Sequence, residues 1–503
     1  MILYPCQNSL VSRQTPARVS CPHLETHGKK IMSLQQELLH VLHTMKQAHL
    51  QNEPASAELR RDRLLRSVAL IRENHAAFTA AISADFGHRS AYQTQVADLM
   101  TTINMLQHSA EHLEQWMQPE IAEVPVAGMQ ARIEPQPLGV VGIISPWNFP
   151  INLAFGPLAG VFAAGNTAML KPSELTPHTT ALLAELVPRY FAADELSVVL
   201  GNASVGQAFS ALPFDHLVFT GSTAVGKHVM RAAAENLVPV TLELGGKSPV
   251  VIDADADVAT AAARTLTIKT FNAGQICISP DYLLLPYAAE AEFITASQQF
   301  MQQTYPTLQS NVDYTAIISA RHYQRLIDLI EDARAKGARI ISLAPAGEPD
   351  FDAQSRKIAP HLILNVSEEM AVMQEEIFGP LLPIKSYSGE VEQAIRYINA
   401  HPRPLAAYYF GHDEQRQKLM AQHTTSGALV INDVMTHASL DSLPFGGVGA
   451  SGIGAYHGIH GFRRFSHAKP IVIQDEAGTT NLRLRAPYQD KRAALTALLN
   501  NQH

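Results

Sequence analysis

The chain has 503 residues, too many for one hydrophobic core, so two or three domains are expected. With 46% hydrophobic and 17% charged residues it reads as an ordinary globular protein, and a net charge of -8 without a basic stripe excludes an electrostatic case for a nucleic-acid partner. Three cysteines (Cys6, Cys21 and Cys277) are too few for a disulfide framework and fit a reducing compartment.

Residues 1–31 carry no apolar period and read as a disordered arm, with Met32 as a candidate start of translation. Polar residues break up 1–20, so no signal peptide is expected and a cytoplasmic location follows. From 34 to 117 apolar residues recur at helical spacing (Leu64, Leu65, Val68, Ile71). Residues 121–137 alternate in the manner of paired strands, with Gly128 at the turn.

From Leu138 short apolar strands alternate with helices. Strands are expected at 139–144, 167–170, 197–200, 216–219 and 238–242, and helices at 151–164, 178–190 and 222–234. This order implies βαβ units, hence an α/β fold with a doubly wound, Rossmann-like parallel sheet. Residues 135–170 contain no Asp, Glu, Lys or Arg. Pro146, Pro150, Pro157, Asn148, Asn152 and Asn166 interrupt them too often for a lipid-exposed helix, so a buried core is expected.

Two loops in this region could hold a nucleotide. Lys171 and Glu174 follow a strand, where a carboxylate commonly binds a ribose diol; an ion pair in a loop is the plain alternative. Gly221 and Ser222 join the strand at 216–219 to a helix whose N-terminus offers donors to a phosphate. Their G-x-x-x-x-G spacing departs from the dinucleotide pattern, and a structural turn reads equally well.

A second α/β region runs from about Ser248 to about Asp433 and carries Cys277. A lone cysteine is more often an inert core residue than a nucleophile. Glu243 and Asn148 change that balance. A thiol, a carboxylate able to act as base and an amide able to steady an oxyanion are the groups that chemistry at a carbonyl carbon requires. Trp147, Phe149 and Phe445 could wall an apolar substrate tunnel or simply pack the core. His457 and His460 lack a third ligand, so no metal site is expected. Leu495, Leu498 and Leu499 fall far short of the roughly 20 apolar residues of a membrane span, and no membrane anchor is expected.

Seven motifs carry a family likeness: SPWNFP at 145–150, KPSE at 171–174, FTGST at 219–223, ELGGKSP at 243–249, NAGQIC at 272–277, EEIFGP at 375–380 and PFGGVG at 444–449. In this order they resemble the aldehyde dehydrogenase superfamily. SPDY at 279–282, YHG at 456–458 and FSH at 465–467 resemble its class 3 branch, and within it the bacterial coniferyl aldehyde dehydrogenases.

The resemblance implies a cofactor domain (32–120 and 138–247), an α/β catalytic domain (248–443) and an oligomerisation hairpin and tail (121–137 and 468–490) in a homodimer. It implies that Cys277 attacks an aldehyde to give a thiohemiacetal, then a thioester once hydride has left for the nicotinamide. Asn148 and the Cys277 N–H would form the oxyanion hole, and Glu243 would activate the hydrolytic water. Lys171 and Glu174 would hold the adenosine ribose, Gly221 and Ser222 the pyrophosphate, and Glu376 and Phe378 the nicotinamide ribose and ring. Glu174 favours NAD, while Lys171 leaves NADP possible. An aromatic or medium-to-long aliphatic aldehyde is the expected substrate, with coniferyl aldehyde the specific choice.

Overall fold

The computed structural model describes residues 33–478 and 480–500. The arm at 1–31, Met32 and the cysteines Cys6 and Cys21 lie outside the described residues. The first half of the chain builds a six-stranded sheet in the spatial order Gly452–Ile453, Val240–Leu244, His216–Gly221, Val140–Ile144, Thr167–Lys171, Leu196–Val198. Five of these strands are parallel, and Gly452–Ile453 closes one edge antiparallel to Val240–Leu244.

Chain order reverses beside Val140–Ile144: the next two strands lie on one side and His216–Gly221 on the other. Such a switch point opens a crevice at the carboxyl ends of the strands, where parallel sheets place their ligands. The segments leaving those two ends are Ser145–Asn148 and Gly221–Ser222. The α/β fold expected from the sequence is present, with the strand expected at 197–200 found at Leu196–Val198 and a larger shift beside the site. The strand expected at 238–242 runs instead from Val240 to Leu244, which puts Glu243 inside the sheet rather than in the loop after it.

The strand Val240–Leu244 passes through only Gly245–Lys247 into Ser248–Ile252, an inner strand of a seven-stranded sheet. Its order is Arg339–Ser342, His361–Leu364, Leu381–Tyr387, Pro280–Pro286, Ser248–Ile252, Ala406–Phe410, Ala428–Ile431. All pairings are parallel except that of Arg339–Ser342. The three-residue link sets the carboxyl edge of the first sheet against the amino edge of the second. Cys277 precedes Pro280–Pro286 and Glu376 precedes Leu381–Tyr387, so both sit on that amino edge.

Between the first sheet and the N-terminal helices lies Asn152–Ala163, apolar on all sides and buried from Leu153 to Ala163, as a central core helix must be. This accounts for the charge-free stretch in the sequence. A third, small sheet pairs Gln130–Pro137 with Glu120–Ala122 and with Ser466–Ile473, in register from Ser466 opposite Pro137 to Ile473 opposite Gln130. Gly128, at φ +78°, makes the turn within it. Among the described residues no helix is long and apolar enough to cross a membrane.

Candidate active site

One pocket, open at the seam between the two large sheets, gathers seven of the nine expected site residues: Asn148, Gly221, Ser222, Glu243, Cys277, Glu376 and Phe378. Lys171 and Glu174 stand apart from it, at the carboxyl edge of the first sheet, where Lys171 pairs with Ile144. The two join in an ion pair of 3.0 Å, with the Lys171 ammonium buried and the Glu174 carboxylate more open.

Cys277 is presented by a strained loop. Asn272 (φ +50°), Ala273 (φ +51°) and Gly274 (φ +72°) are consecutive left-handed residues, and each non-glycine residue there costs on the order of 1–3 kcal/mol. Gly274 is obligatory on a second count, since a Cβ would lie 2.4 Å from the Gly379 carbonyl oxygen. Side chains hold the turn in place. Gln93 Oε1 accepts from Asn272 N–H at 2.9 Å, and the Gln275 amide donates to the Asn272 and Ala316 carbonyls while accepting from Ile318 N–H. The thiol keeps some surface toward the pocket but is otherwise enclosed. Burial first, then the carboxylates of Glu376 and Glu243, push its pKa up to about 12. Reaction therefore needs a base at hand.

Glu243 is the carboxylate that lines the same pocket from the first sheet. It is 3% exposed, and neither carboxylate oxygen has a hydrogen-bond partner. Burial raises its pKa well above the ordinary carboxylate range. Asn148 is buried, and its Nδ2 donates to the Gln275 carbonyl at 3.2 Å, leaving its second N–H for an oxyanion. It does not cap the helix that follows. Asp98, carried on the π-helical stretch Thr94–Met100, accepts from the N–H groups of Ile151 and Asn152 at 2.9 and 2.6 Å instead.

Arg89, fully buried between the rings of Phe86 and Phe149, faces Asp98 and donates to the Asn148 carbonyl at 2.8 Å. Neither residue stood out in the sequence. The one signal was an acid at position 98 on the buried stripe of a helical segment, four residues before Thr102. Trp147 lines the pocket, Phe149 packs on Arg89, and Phe445 stacks on His457 in the core.

Glu376 stands on a loop fixed from three sides: Asp281 accepts from Ile377 N–H at 2.9 Å, Lys247 donates to the Val372 and Glu375 carbonyls, and Arg325 donates to Glu375 and to the Glu376 carbonyl. Its Oε1 is buried without a partner, and burial followed by Asp281 raises its pKa to about 8. Gly245 makes room for it, since a Cβ there would sit 1.9 Å from Glu376 Oε2. Phe378, left-handed at φ +50°, meets Trp147 edge-on at 5.3 Å. Ser222 caps the helix Thr223–Ala234 by accepting from Val225 N–H, and the N-terminus of that helix opens onto the pocket beside Gly221.

An unpartnered buried carboxylate oxygen, a glycine cradle, an aromatic wall and a helix N-terminus on one crevice fit a nicotinamide dinucleotide. Because Glu376 holds the thiol pKa up, Glu376→Gln should move the pH profile of Cys277 alkylation by iodoacetamide to lower pH. A profile unmoved or shifted upward would contradict this electrostatic reading.

Residues 11–471 match the model of the aldehyde dehydrogenase family. A coniferyl aldehyde dehydrogenase of Pseudomonas sp. (strain HR199 / DSM 7063) is 57% identical over 464 residues, 92% of this chain and 96% of that one. A probable coniferyl aldehyde dehydrogenase of Caulobacter vibrioides is 52% identical, over 89% of this chain and 93% of that one. Among solved structures, the substrate-bound state of an AldH from Staphylococcus aureus superposes with a TM-score of 0.85 at 34% identity, covering 93% of this chain and all of that one. An indole-3-acetaldehyde dehydrogenase of Pseudomonas syringae in complex with NAD+ superposes with a TM-score of 0.79 at 26% identity, over 88% of this chain and 89% of that one. The seven ordered motifs, the pocket that collects residues from five of them and these matches agree: the chain belongs to the aldehyde dehydrogenase family and is an NAD(P)-dependent oxidoreductase acting on aldehydes.

Proposed function

We propose that the enzyme oxidises a hydrophobic aromatic aldehyde, coniferyl aldehyde to ferulate in particular, with NAD. The observation that carries the chemistry is the convergence of a thiol, an orphaned carboxylate and an amide on one pocket. The substrate class rests on the 57% and 52% identical relatives that bear that name.

Cys277 adds to the aldehyde carbon, and its proton passes by way of Glu243, the carboxylate facing it, to solvent, which leaves that carboxylate ionised again. The Asn148 amide and the Cys277 N–H hold the oxygen that becomes negative, an arrangement in which loss of one donor costs roughly 10²–10³ in rate. The oxidised nicotinamide supplies the acceptor for the electron pair that the aldehyde carbon gives up. Glu376 and Phe378 hold the ribose and ring at that end, Gly221 and Ser222 the pyrophosphate. Lys171 and Glu174 hold the adenosine ribose, where the Glu174 carboxylate repels a 2′-phosphate and favours NAD. Glu243 then takes a proton from the water that releases the acid from the thioester. A CoA-acylating relative would have no use for this base.

Residues 32–120 and 138–247 form the cofactor domain and 248–443 the catalytic domain. The hairpin at 121–137 and the tail at 468–490 join two copies, because Ser466–Ile473 ends the small sheet with a free edge that a second chain can cover. The enzyme works in the cytoplasm. NADH formation measured on coniferyl aldehyde, benzaldehyde, hexanal and acetaldehyde, each with NAD and with NADP, tests the reading. The highest kcat/KM is expected for coniferyl aldehyde with NAD. A preference for hexanal would move the enzyme to aliphatic aldehyde clearance, and light scattering at the mass of one chain would contradict the dimer.

A further inference from the structure

Glu243 shares its strand with Thr241, two residues earlier, so both side chains leave the same face of the sheet. On that face lies Arg464, the last residue of the helix Gly458–Arg464. Its Nε donates to Thr241 Oγ1 at 2.9 Å, and its Nη2 reaches the Val240 carbonyl. Thr241 is fully buried, and its hydroxyl is also hydrogen-bonded to His216 Nε2 at 2.8 Å. The backbone of Gly454, left-handed at φ +85°, closes over the guanidinium: a Cβ there would lie 2.8 Å from Nη2 and 2.9 Å from Cζ. Three elements therefore pin one cation to the strand that carries the base.

We propose that Arg464 is a positioning residue for the second half of the reaction: fixed by Thr241, His216 and Gly454, its guanidinium draws the Glu243 carboxylate toward the ionised form that takes a proton from the hydrolytic water. This rests on the reading of Glu243 as the base. The titratable groups facing Glu243 are the Cys277 thiol, the Tyr456 hydroxyl and the Arg464 guanidinium, and Glu376 faces Cys277 from the next strand. Of these only Arg464 is positive, and it opposes the burial that otherwise favours the neutral acid. His216 beside it is held neutral, its pKa lowered to about 3 by burial and by Arg464, so it adds no competing charge. A site that both excludes water from a carboxylate and needs that carboxylate charged requires such a counter-charge.

The test uses the full chain with coniferyl aldehyde and NAD. It follows the fast NADH burst, which reports the steps through Cys277, and the slow phase, which reports release of the acid by water, across pH 5–10. In R464M the burst amplitude should persist. Its slow phase should fall about tenfold at neutral pH, with the acid limb displaced upward by about one pH unit. R464K, which keeps the charge, should return the limb toward its wild-type position. An acid limb in R464M coincident with wild type, or displaced as far in R464K, would overturn the proposal and leave Arg464 as packing. If R464M does not fold, T241V carries the test: a limb displaced upward supports the proposal, and an unmoved one overturns it. E243Q separates the two readings, because a slow phase surviving there would remove the base itself, whereas its loss beside an unmoved R464M limb would remove only the role of Arg464.

Discussion

Cys277→Ala is expected to abolish NADH formation with every aldehyde, a fall of roughly 10⁴–10⁶ in kcat, the size seen when the nucleophile of a covalent mechanism is removed. The fold should survive the change. Cys277 keeps part of its surface on the pocket, and the turn that presents it is held by Gln93 and Gln275 rather than by the thiol. NAD binding should persist for the same reason, since the glycine cradle at Gly245 and the Glu376 loop owe nothing to the sulfur. The pair of measurements is steady-state NADH formation and NAD affinity by fluorescence or calorimetry. Lost turnover with retained binding is the expected outcome. Retained turnover would move the nucleophile elsewhere.

Asp98→Ala is expected to have the largest effect on stability, a loss of about 3–5 kcal/mol in chemical denaturation, because it strands a buried guanidinium. Both residues of the pair are fully buried, with Arg89 Nη1 3.4 Å from Asp98 Oδ2. Burial drives the two in opposite senses. It lowers the Arg89 pKa to about 10, with Asp98 opposing, and raises that of Asp98 to about 6 against the pull of Arg89.

The substitution also removes the acceptor of the Ile151 and Asn152 N–H groups, the cap of the central buried helix. A folded-state pKa raised above the unfolded value of a carboxyl means that stability drawn from this group is greatest at low pH and declines as pH rises from about 4 toward 6. The penalty of Asp98→Ala should therefore be measured at neutral pH against Asp98→Asn, which keeps a polar acceptor without the charge. Asp98→Ala and wild type unfolding at the same denaturant concentration would show that the pair is dispensable.

The same network explains a catalytic cost. Arg89 donates to the carbonyl of Asn148, the residue assigned to the oxyanion hole, and Asn272 reaches the same oxygen from the nucleophile loop. A disturbed Asp98 would therefore displace the amide and the thiol together.

Much of this was legible before any coordinate. The periodicity of 138–244 gave the parallel sheet because each strand is a short apolar run bounded by a turn, and such runs need no tertiary information to be recognised. The hairpin at 121–137 followed from alternation, and the structure pairs its second strand with Ser466–Ile473, setting Pro470 opposite Ile133. Five of the seven motifs led to the pocket, because each lies at a strand end facing the seam between the two large sheets.

What the sequence withheld is what three dimensions create. The strand carrying Glu243 is displaced by two residues, since alternation cannot say whether Pro239 opens the strand or precedes it. Arg89, Asp98 and Arg464 lie in segments with no motif and act only through partners distant in the chain, Asn148, Asn152 and Thr241. Lys171 and Glu174 satisfy each other in the resting structure, which no spacing rule distinguishes from a waiting ribose site.

The mechanism requires a covalent bond between Cys277 and the substrate. Wild-type enzyme quenched in acid during turnover of coniferyl aldehyde with NAD, then digested and mapped by mass spectrometry, reads that bond directly. The account expects the feruloyl increment on the peptide containing Cys277, and its absence when NAD is withheld. Full turnover with no acyl group on that peptide, or an acyl group on another residue, would contradict it.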